Sequence, residues 1–398
     1  MPEARIIFIN RVYWPSTAAT AQLLTDLAEG LAARGWPVHV ITTGESSSRH
    51  NGVTIHRTGP GEQHGGMLSR ALNYRRFQGA ARRQLGSVAR PGDIVVPMTD
   101  PPMLGAAMAR PALAQGARVV HWIQDIYPEI AAVHFGPLAG FFLAPLKANR
   151  NSAWRSALTC VTLGDDMRQS VAGQGVPRER IALIPNWAPR ELHVPTTQMA
   201  VETCRSRWGL NDKFVVAYSG NLGRVHEFAT VLQTAALLRD DPSVVFLFIG
   251  AGARFDEISA AARARGLGNI RLLPPEPRET LAASLAAADA QLVTLLPDYS
   301  SLVYPSKLAG VLAAGRPVLF VGPPGGDIAR LLQQEDCGAT LALGDAAGLA
   351  DTLTRWKGDA GLLARLGSNA RAVYERQFTF DRALIQWEDV LRHCVGPQ

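Results

Sequence analysis

Two loops in the second half of the chain put a cation and small residues where an apolar run gives way to a helical pattern. The first is Tyr218-Ser219-Gly220-Asn221-Leu222-Gly223-Arg224-Val225-His226-Glu227. Two glycines allow close backbone approach, a helix start offers free N–H groups, and a guanidinium forks onto two phosphate oxygens. This chemistry suits an anionic phosphate, with Gly220, Asn221, Gly223, Arg224, His226 and Glu227 as candidate contacts. A tight turn with a surface arginine has the same spacing, and a lone His is a common turn residue. The second loop is Pro297-Asp298-Tyr299-Ser300-Ser301-Leu302-Val303-Tyr304-Pro305-Ser306-Lys307. Pro305 suits a first helical turn and Ser306 an N-cap, so Lys307 faces an anion at a helix start. Ser301, Leu302, Val303, Tyr304, Ser306 and Lys307 are its candidates. A capped helix with a solvated lysine is the plain alternative. Together the two loops suit a diphosphate. Between them, Gly250-Ala251-Gly252 is a weak GxG that strand-to-helix packing also explains. Backbone groups at Leu273 and Pro274 suit a nucleotide base edge, or belong to a Pro-stiffened connector.

The first half carries hydroxyls, aromatics and carboxylates at the ends of its own apolar runs. Tyr13-Trp14-Pro15-Ser16-Thr17-Ala18-Ala19-Thr20 joins the first such run to the first helical pattern. Tyr13, Trp14, Ser16, Thr17 and Thr20 are candidates for an acceptor or a phosphate. Asp100 ends another run. Gln124 and Asp125 end a third, in His121-Trp122-Ile123-Gln124-Asp125-Ile126-Tyr127-Pro128-Glu129. Asp125 is the carboxylate expected at the acceptor, as contact or base. Alternatively it caps a helix beginning near Pro128.

These loops need elements to hold them. Strands are expected at 5–10, 38–43, 53–57, 94–98, 119–122, 158–162 and 181–184, with helical patterns between them such as 21–34. The rhythm restarts at 214–219, 244–249, 270–273, 291–295, 318–321 and 340–343. There the intervening helices are expected at 228–238, 255–265, 278–288, 307–314 and 327–334. Alternation of this kind predicts parallel sheets covered on both faces: an α/β chain of two doubly wound, Rossmann-like domains facing across a cleft. The expected boundaries are 1–195 for an acceptor-side domain, 208–376 for a nucleotide-sugar-binding domain, and 377–398 for a last helix. Residues 191–207, with Pro195, Thr196 and Thr197 and no periodicity, read as a linker.

Composition narrows the class. The chain has 398 residues, 47% hydrophobic and 19% charged, which argues against disorder. Its net charge of +6 favours anionic partners. The four cysteines form no CxxC or Cys/His pattern, so no metal site is expected. Residues 1–10 run directly into a strand pattern, and no apolar run reaches about 18 residues. Neither a leader nor a membrane span is expected, which fits a reducing cytoplasm. The stretch after the first strand has no GxGxxG, against a dinucleotide oxidoreductase. The basic residues do not interleave with aromatics as in nucleic-acid modules, so no nucleic acid is expected.

As a set, the motifs resemble the family-4 retaining glycosyltransferases, in the branch named after the WbuB and WcaI sugar-polymer enzymes. The likeness covers nearly the whole chain. It rests on Tyr13-Trp14-Pro15, on Gln124-Asp125-Ile126-Tyr127-Pro128-Glu129 and on Ile184-Pro185-Asn186-Trp187. It also rests on Tyr218-Ser219-Gly220-Asn221 with Gly223-Arg224 and His226-Glu227-Phe228, and on Pro305-Ser306-Lys307-Leu308 before Ala313-Ala314-Gly315-Arg316-Pro317-Val318. The resemblance implies a GT-B fold, a nucleotide sugar held mainly by the second domain, no obligatory metal or other cofactor, and a last helix crossing back to the first domain. It implies that Arg224 and Lys307 hold the diphosphate, with a UDP-sugar favoured over a GDP-sugar. Many relatives carry two glutamates eight positions apart, one on the donor sugar and one on the ribose. Aligned on Ala313-Ala314-Gly315, those positions are Leu302 and Gly310. Glu227 is one candidate to stand in for them.

The reading that follows is a hexosyl-type transferase in surface polysaccharide synthesis. Its acceptor is a saccharide or a polyprenyl-diphosphate-linked saccharide. A nucleotide-sugar 2-epimerase on the same fold and a non-catalytic nucleotide-sugar-binding subunit are the alternatives. Residues 67–90 and 135–155 mix Arg and Lys with Leu and Phe. They predict a peripheral contact with an anionic membrane on its cytoplasmic inner face, or two amphipathic helices packed on the sheet.

Overall fold

The structure is a computed structural model that describes residues 4–59 and 66–395. Residues 1–3 and 396–398 of the expected domains lie outside the described residues, as do the side chains of Met67 and Leu68 in the expected basic stretch 67–90. The chain divides into two compact units. One comprises the chain up to Pro185, the short segment Ser301–Tyr304, and the residues from Asp381 on; the other comprises Asn186–Ser300 and Pro305–Phe380.

In the first unit the strands are β1 (Ile6–Ile9), β2 (Val38–Thr42), β3 (Ser48–His50), β4 (Val53–Arg57), β5 (Ile94–Pro97), β6 (Arg118–Trp122), β7 (Thr159–Thr162) and β8 (Ile181–Leu183). They form one sheet in the order β3-β4-β2-β1-β5-β6-β7-β8. All pairs are parallel except β3 with β4. Continuous apolar runs such as the fully buried Ile6-Ile7-Phe8-Ile9 are what a sheet covered on both faces requires. The edge strand β3, Ser-Arg-His, is polar and has no such signature, so periodicity does not reveal it.

The second unit contains β9 (Phe214–Ser219), β10 (Val244–Ile249), β11 (Ile270–Leu273), β12 (Ala290–Thr294), β13 (Val318–Val321) and β14 (Gly338–Leu341). The order is β11-β10-β9-β12-β13-β14, all parallel. Both sheets reverse their winding next to the first strand, between β1 and β5 and between β9 and β12. In open α/β sheets the crevice at such a switch point, outside the carboxyl ends of the strands, is where ligands bind.

Four details depart from the sequence reading. The expected linker 191–207 is mostly the helix Gln198–Arg207, whose start is capped by Thr197 accepting from the Ala200 amide at 3.3 Å. Val201 and Cys204 are buried against Ala283, Ala286 and Ala287. The polar outer face hid this periodicity. The strand expected at 340–343 runs two residues earlier because Gly338 lies so close to β13 that a Cβ would sit 2.0 Å from the Val318 carbonyl oxygen. The helix expected at 278–288 is a short 3-10 turn, Arg278–Thr280, followed by the helix Leu281–Ala286. Ser306 stands at the N-cap of the Lys307–Ala313 helix without a side-chain cap bond.

The last helix, Phe380–Val395, buries Ala383, Leu384, Trp387 and Leu391 on one face. In the first unit Trp387 meets Trp122 edge-on at 4.9 Å. Glu388 accepts from the Trp36 indole at 3.0 Å and forms an ion pair with Arg34. Among the described residues no helix is long and apolar enough to cross a membrane.

Burial alone would raise the Glu388 carboxyl, but the bonds from Arg34 and Trp36 outweigh it and hold it below its ordinary value. A depressed carboxylate adds stability above its unfolded value of about 4.3 and loses it as pH falls through the folded value. Glu388→Gln is therefore expected to destabilise the chain by about 1–3 kcal/mol at neutral pH. The gap to wild type should narrow below about pH 4, and urea unfolding at the two pH values checks it.

Candidate active site

In the second unit the candidate cation and the glycine loop come together. β9 ends at Gly220, whose φ of +129 is a glycine conformation. The Gly220 amide donates to the Ile249 carbonyl at 2.9 Å, and the Leu222 amide to Ala251 at 2.9 Å. The Tyr218 hydroxyl donates to the Asn221 carbonyl at 2.8 Å and pins the turn from beneath. Lys307 reaches into this turn. Its ammonium lies 3.2 Å from the Tyr218 ring centroid, and a Cβ at Gly220 would be 3.9 Å from the nitrogen. Lys307 is half-buried as a residue, but its nitrogen is fully covered and has no hydrogen-bond partner among the described residues. Burial drives its pKa well below the ordinary lysine value. A buried ammonium held only by a ring face is short of an anion. Arg224 is exposed, four residues beyond Gly220 in the same loop.

His226 and Glu227 are committed to the scaffold. His226 is buried, and its Nδ1 lies 2.7 Å from the Thr294 carbonyl at the end of β12. A carbonyl only accepts, so Nδ1 carries the proton. Burial, with the Lys307 charge adding, lowers the His226 pKa to about 3. The ring is therefore a neutral tie across the switch point and not a cation for phosphate. The Leu296 amide donates to Val225 at 2.9 Å beside it. Glu227 is buried, and its Oε1 accepts from the Thr230 amide at 2.9 Å, capping the helix Ala229–Leu237. Its Oε2 has no hydrogen-bond partner among the described residues.

Gly250 and Gly252 are packing glycines. Each has φ +148; a Cβ on Gly250 would sit 2.0 Å from the Gly220 oxygen, and one on Gly252 would sit 2.6 Å from the Leu222 oxygen. They let the loop after β10 lie directly against the Gly220 turn. Leu273 gives its carbonyl to the Gly250 amide at 3.0 Å, and Pro274 is exposed beyond it.

The segment Ser301–Tyr304 is part of the first unit. Val303 pairs with Asp125 in an antiparallel bridge, and the Ile126 amide donates to the Leu302 carbonyl at 2.9 Å. The Leu302 side chain is buried with Ile123, Ile126, Cys160 and Leu163. It is a core residue there. At the other position of the absent glutamate pair, a Cβ on Gly310 would point at Leu192 and Leu285, 3.3 and 3.8 Å away.

The acceptor-side candidates divide similarly. Tyr13 is buried, its hydroxyl raised in pKa by burial above all, so it packs in the core and is not offered to an acceptor. Trp14 is 38% exposed and stacks on His50 at 3.8 Å, its carbonyl held by Arg57 at 2.7 Å. The Ser16 amide closes the turn onto the Tyr13 carbonyl at 2.9 Å. Thr17 is exposed and Thr20 half-buried. Asp100 is engaged by Arg11 through two bonds of 3.0 Å, tying the ends of β1 and β5 together. Gln124 is buried. Asp125 does not cap the helix Glu129–Phe135, whose N-cap is Pro128. Its carboxyl is raised to about 6, by burial first and by the nearby Asp100 charge second. Arg150, within the expected basic stretch 135–155, is buried. It donates to the Tyr127 carbonyl at 2.8 Å and to both Glu129 oxygens at 3.0 and 2.7 Å, fixing the Asp125 loop from behind. Among the described residues no three His, Cys, Asp or Glu side chains group as metal ligands do.

The Lys307 environment has a thermodynamic signature. With the folded pKa lowered, the unfolded chain binds the extra proton, so the penalty is full below the folded value and fades as pH rises toward about 10.4. Lys307→Met should raise the ligand-free Tm at pH 7, by about 2–4 °C per kcal/mol relieved. The difference should shrink toward pH 10 in a melt series.

Comparison with known proteins agrees with this architecture. Residues 19–187 match the glycosyl transferase 4-like domain, and residues 201–373 match glycosyl transferases group 1. The chain is 32% identical over 210 residues to WcaI of Escherichia coli (strain K12), provisionally named a colanic acid biosynthesis glycosyl transferase; the match covers 51% of each chain. It is 28% identical over 270 residues to WbjE of Pseudomonas aeruginosa, provisionally named a glycosyltransferase, covering 67% of this chain and 66% of that one. The matched stretches thus span about half to two thirds of these relatives. Among solved structures, Anabaena Alr3699/HepE in complex with UDP superposes with a TM-score of 0.73 at 16% identity, over 98% of this chain and 100% of that one. At that identity the likeness shows the fold, two parallel-sheet α/β domains of the GT-B type. With these two domain models matched in order over most of its length, the chain belongs to the glycosyl transferase 4-like and group 1 glycosyl transferase families.

Proposed function

We propose that the protein moves a sugar from a UDP-linked donor to a saccharide or lipid-linked saccharide, with retention of anomeric configuration, in building a surface polysaccharide. The observation that carries this is the covered Lys307 ammonium beside Gly220, which has no hydrogen-bond partner among the described residues. A diphosphate supplies one, and the exposed Arg224 in the same loop adds a second cation. HepE is a structural neighbour crystallised with UDP and with UDP-glucose, which favours a uridine nucleotide. WcaI is named for a polysaccharide, colanic acid, and WaaG, of similar fold, for lipopolysaccharide biosynthesis.

In the reaction the acceptor hydroxyl oxygen bonds to the anomeric carbon on the face from which the diphosphate leaves. The C–O bond to the diphosphate breaks and its electron pair departs with the phosphate oxygen. Lys307 and Arg224 meet the charge that grows there, which is the role commonly given to a metal; we propose that none is required. The hydroxyl proton goes to the departing diphosphate. Asp125 is the acceptor-side carboxylate, orienting the hydroxyl as an anion. Its raised pKa makes that role dependent on pH. We place the enzyme at the cytoplasmic face of an anionic membrane, where lipid-linked acceptors are found.

Titration of the full chain with UDP, GDP, ADP and dTDP, followed by turnover with the matching sugars, tests the reading. UDP should raise the Tm by mass action, and transfer to an acceptor should follow. Nucleotide release with an epimerised sugar and no acceptor would point to an epimerase. Binding without turnover would point to a non-catalytic subunit. Arg224→Ala should lower kcat by about 10²–10³-fold without lowering the Tm. The wild-type kcat/KM should fall as pH drops through about 6, and Asp125→Asn should lack that limb.

A further inference from the structure

The helix Pro137–Ser156 carries a run of large exposed apolar side chains. Its second half is built into the core, with Arg150 and Trp154 buried. Its first half is not. Leu138, Phe141 and Phe142 are 77–79% exposed, and Leu146 is 45% exposed. The spacing 138, 141, 142, 145, 146 makes one continuous helical face with Pro145, also exposed. Phe135, 57% exposed, extends it at the end of the preceding helix. Monomeric soluble proteins seldom expose a contiguous patch of such side chains, each aromatic presenting about 150–250 Å².

The surroundings say what covers it. The helices Met67–Val88, Leu104–Ala114 and Pro137–Ser156 pack side by side through Phe77, Ala81, Leu104, Met108, Ala112 and Ala153. None of the three contains an Asp or a Glu. Their exposed charges are all positive: Arg70, Arg75, Arg76, Arg82 and Arg83 on the first, Arg110 on the second, Arg155 on the third. An apolar spur on one of three packed helices whose exposed charges are all positive is complementary to a bilayer with anionic head groups: a hydrocarbon interior under a negative plane. A protein partner would need a carboxylate-rich rim around an apolar socket.

We infer that Leu138, Phe141, Phe142 and Leu146 form a spur that inserts into the interfacial layer of an anionic membrane, while the arginines of Met67–Val88 and Leu104–Ala114 hold the head groups. This deepens the membrane part of the reading above. It assigns attachment to two separable devices, one apolar and one electrostatic. The electrostatic part must fade in salt and the apolar part must persist.

Flotation of the full chain with vesicles of phosphatidylcholine and phosphatidylglycerol, at low salt and at about 1 M, where the Debye length is about 3 Å, separates them. Wild type should float at low salt and keep a bound fraction at high salt. Phe141→Ser with Phe142→Ser should lose the salt-resistant fraction, with partitioning down about tenfold or more. Arg75→Gln with Arg76→Gln should lose affinity only at low salt. In Phe141→Trp, brominated acyl chains should quench the new indole's emission. Wild type remaining unbound at both salts, or the double serine variant floating like wild type, would overturn the insertion. So would a self-association that the serine pair abolishes in the absence of vesicles. All of these residues are remote in sequence from the nucleotide loops, and the UDP-induced Tm shift is read in solution. Failed insertion therefore leaves the transferase reading standing, and a failed UDP shift leaves insertion to be decided by flotation.

Discussion

A lysine ammonium covered by protein and facing the ring of Tyr218 is the constraint around which the second unit is arranged. Removing a charge from water costs several kcal/mol unless it is paired. The ring face returns only part of that. His226 is kept neutral, Glu227 spends one oxygen on a helix cap, and Gly220 offers no side chain. The turn is left with a cation that is stabilised only when an anion arrives.

The two units solve the same topological problem with different chemistry. Each sheet reverses its winding beside its first strand, and each must tie the two diverging loops together. In the first unit Arg11 and Asp100 do so as a closed ion pair between the ends of β1 and β5. In the second a neutral imidazole does so, from His226 to the Thr294 carbonyl. The ion pair satisfies its own charges and leaves a raised carboxyl, Asp125, within its field. The neutral tie leaves the Lys307 charge uncompensated. One crevice is thereby biased toward holding a proton and the other toward holding an anion.

Rigidity at both sites comes from close backbone contact. Gly250 and Gly252 press one loop onto the next at distances no Cβ would tolerate. Arg150 braces the Asp125 loop through a backbone carbonyl and Glu129, and stacks over Trp154 at 3.8 Å. Local order of this kind is what preorganised electrostatics needs, because donors that must move to meet charge lose much of their effect.

The strand and helix rhythm was legible because parallel strands buried on both faces are continuous apolar runs, and such runs need no partner to be seen. The cation-bearing loops were legible for the same reason: glycine, Arg and Lys at strand ends are local facts. Residue type and spacing thus determined the fold class, the family likeness and the position of Lys307 at a helix start. What each loop side chain does was decided by its distant neighbours. Only the folded chain turns Leu302 into core beside Ile123, binds His226 to Thr294, closes Asp100 onto Arg11, and lays Gly250 under Gly220. It also buries Arg150 while leaving Phe141 and Phe142, on the same helix, in the open. Burial and pairing are properties of contacts between residues far apart in the chain, and neither composition nor periodicity encodes which contact a side chain will find.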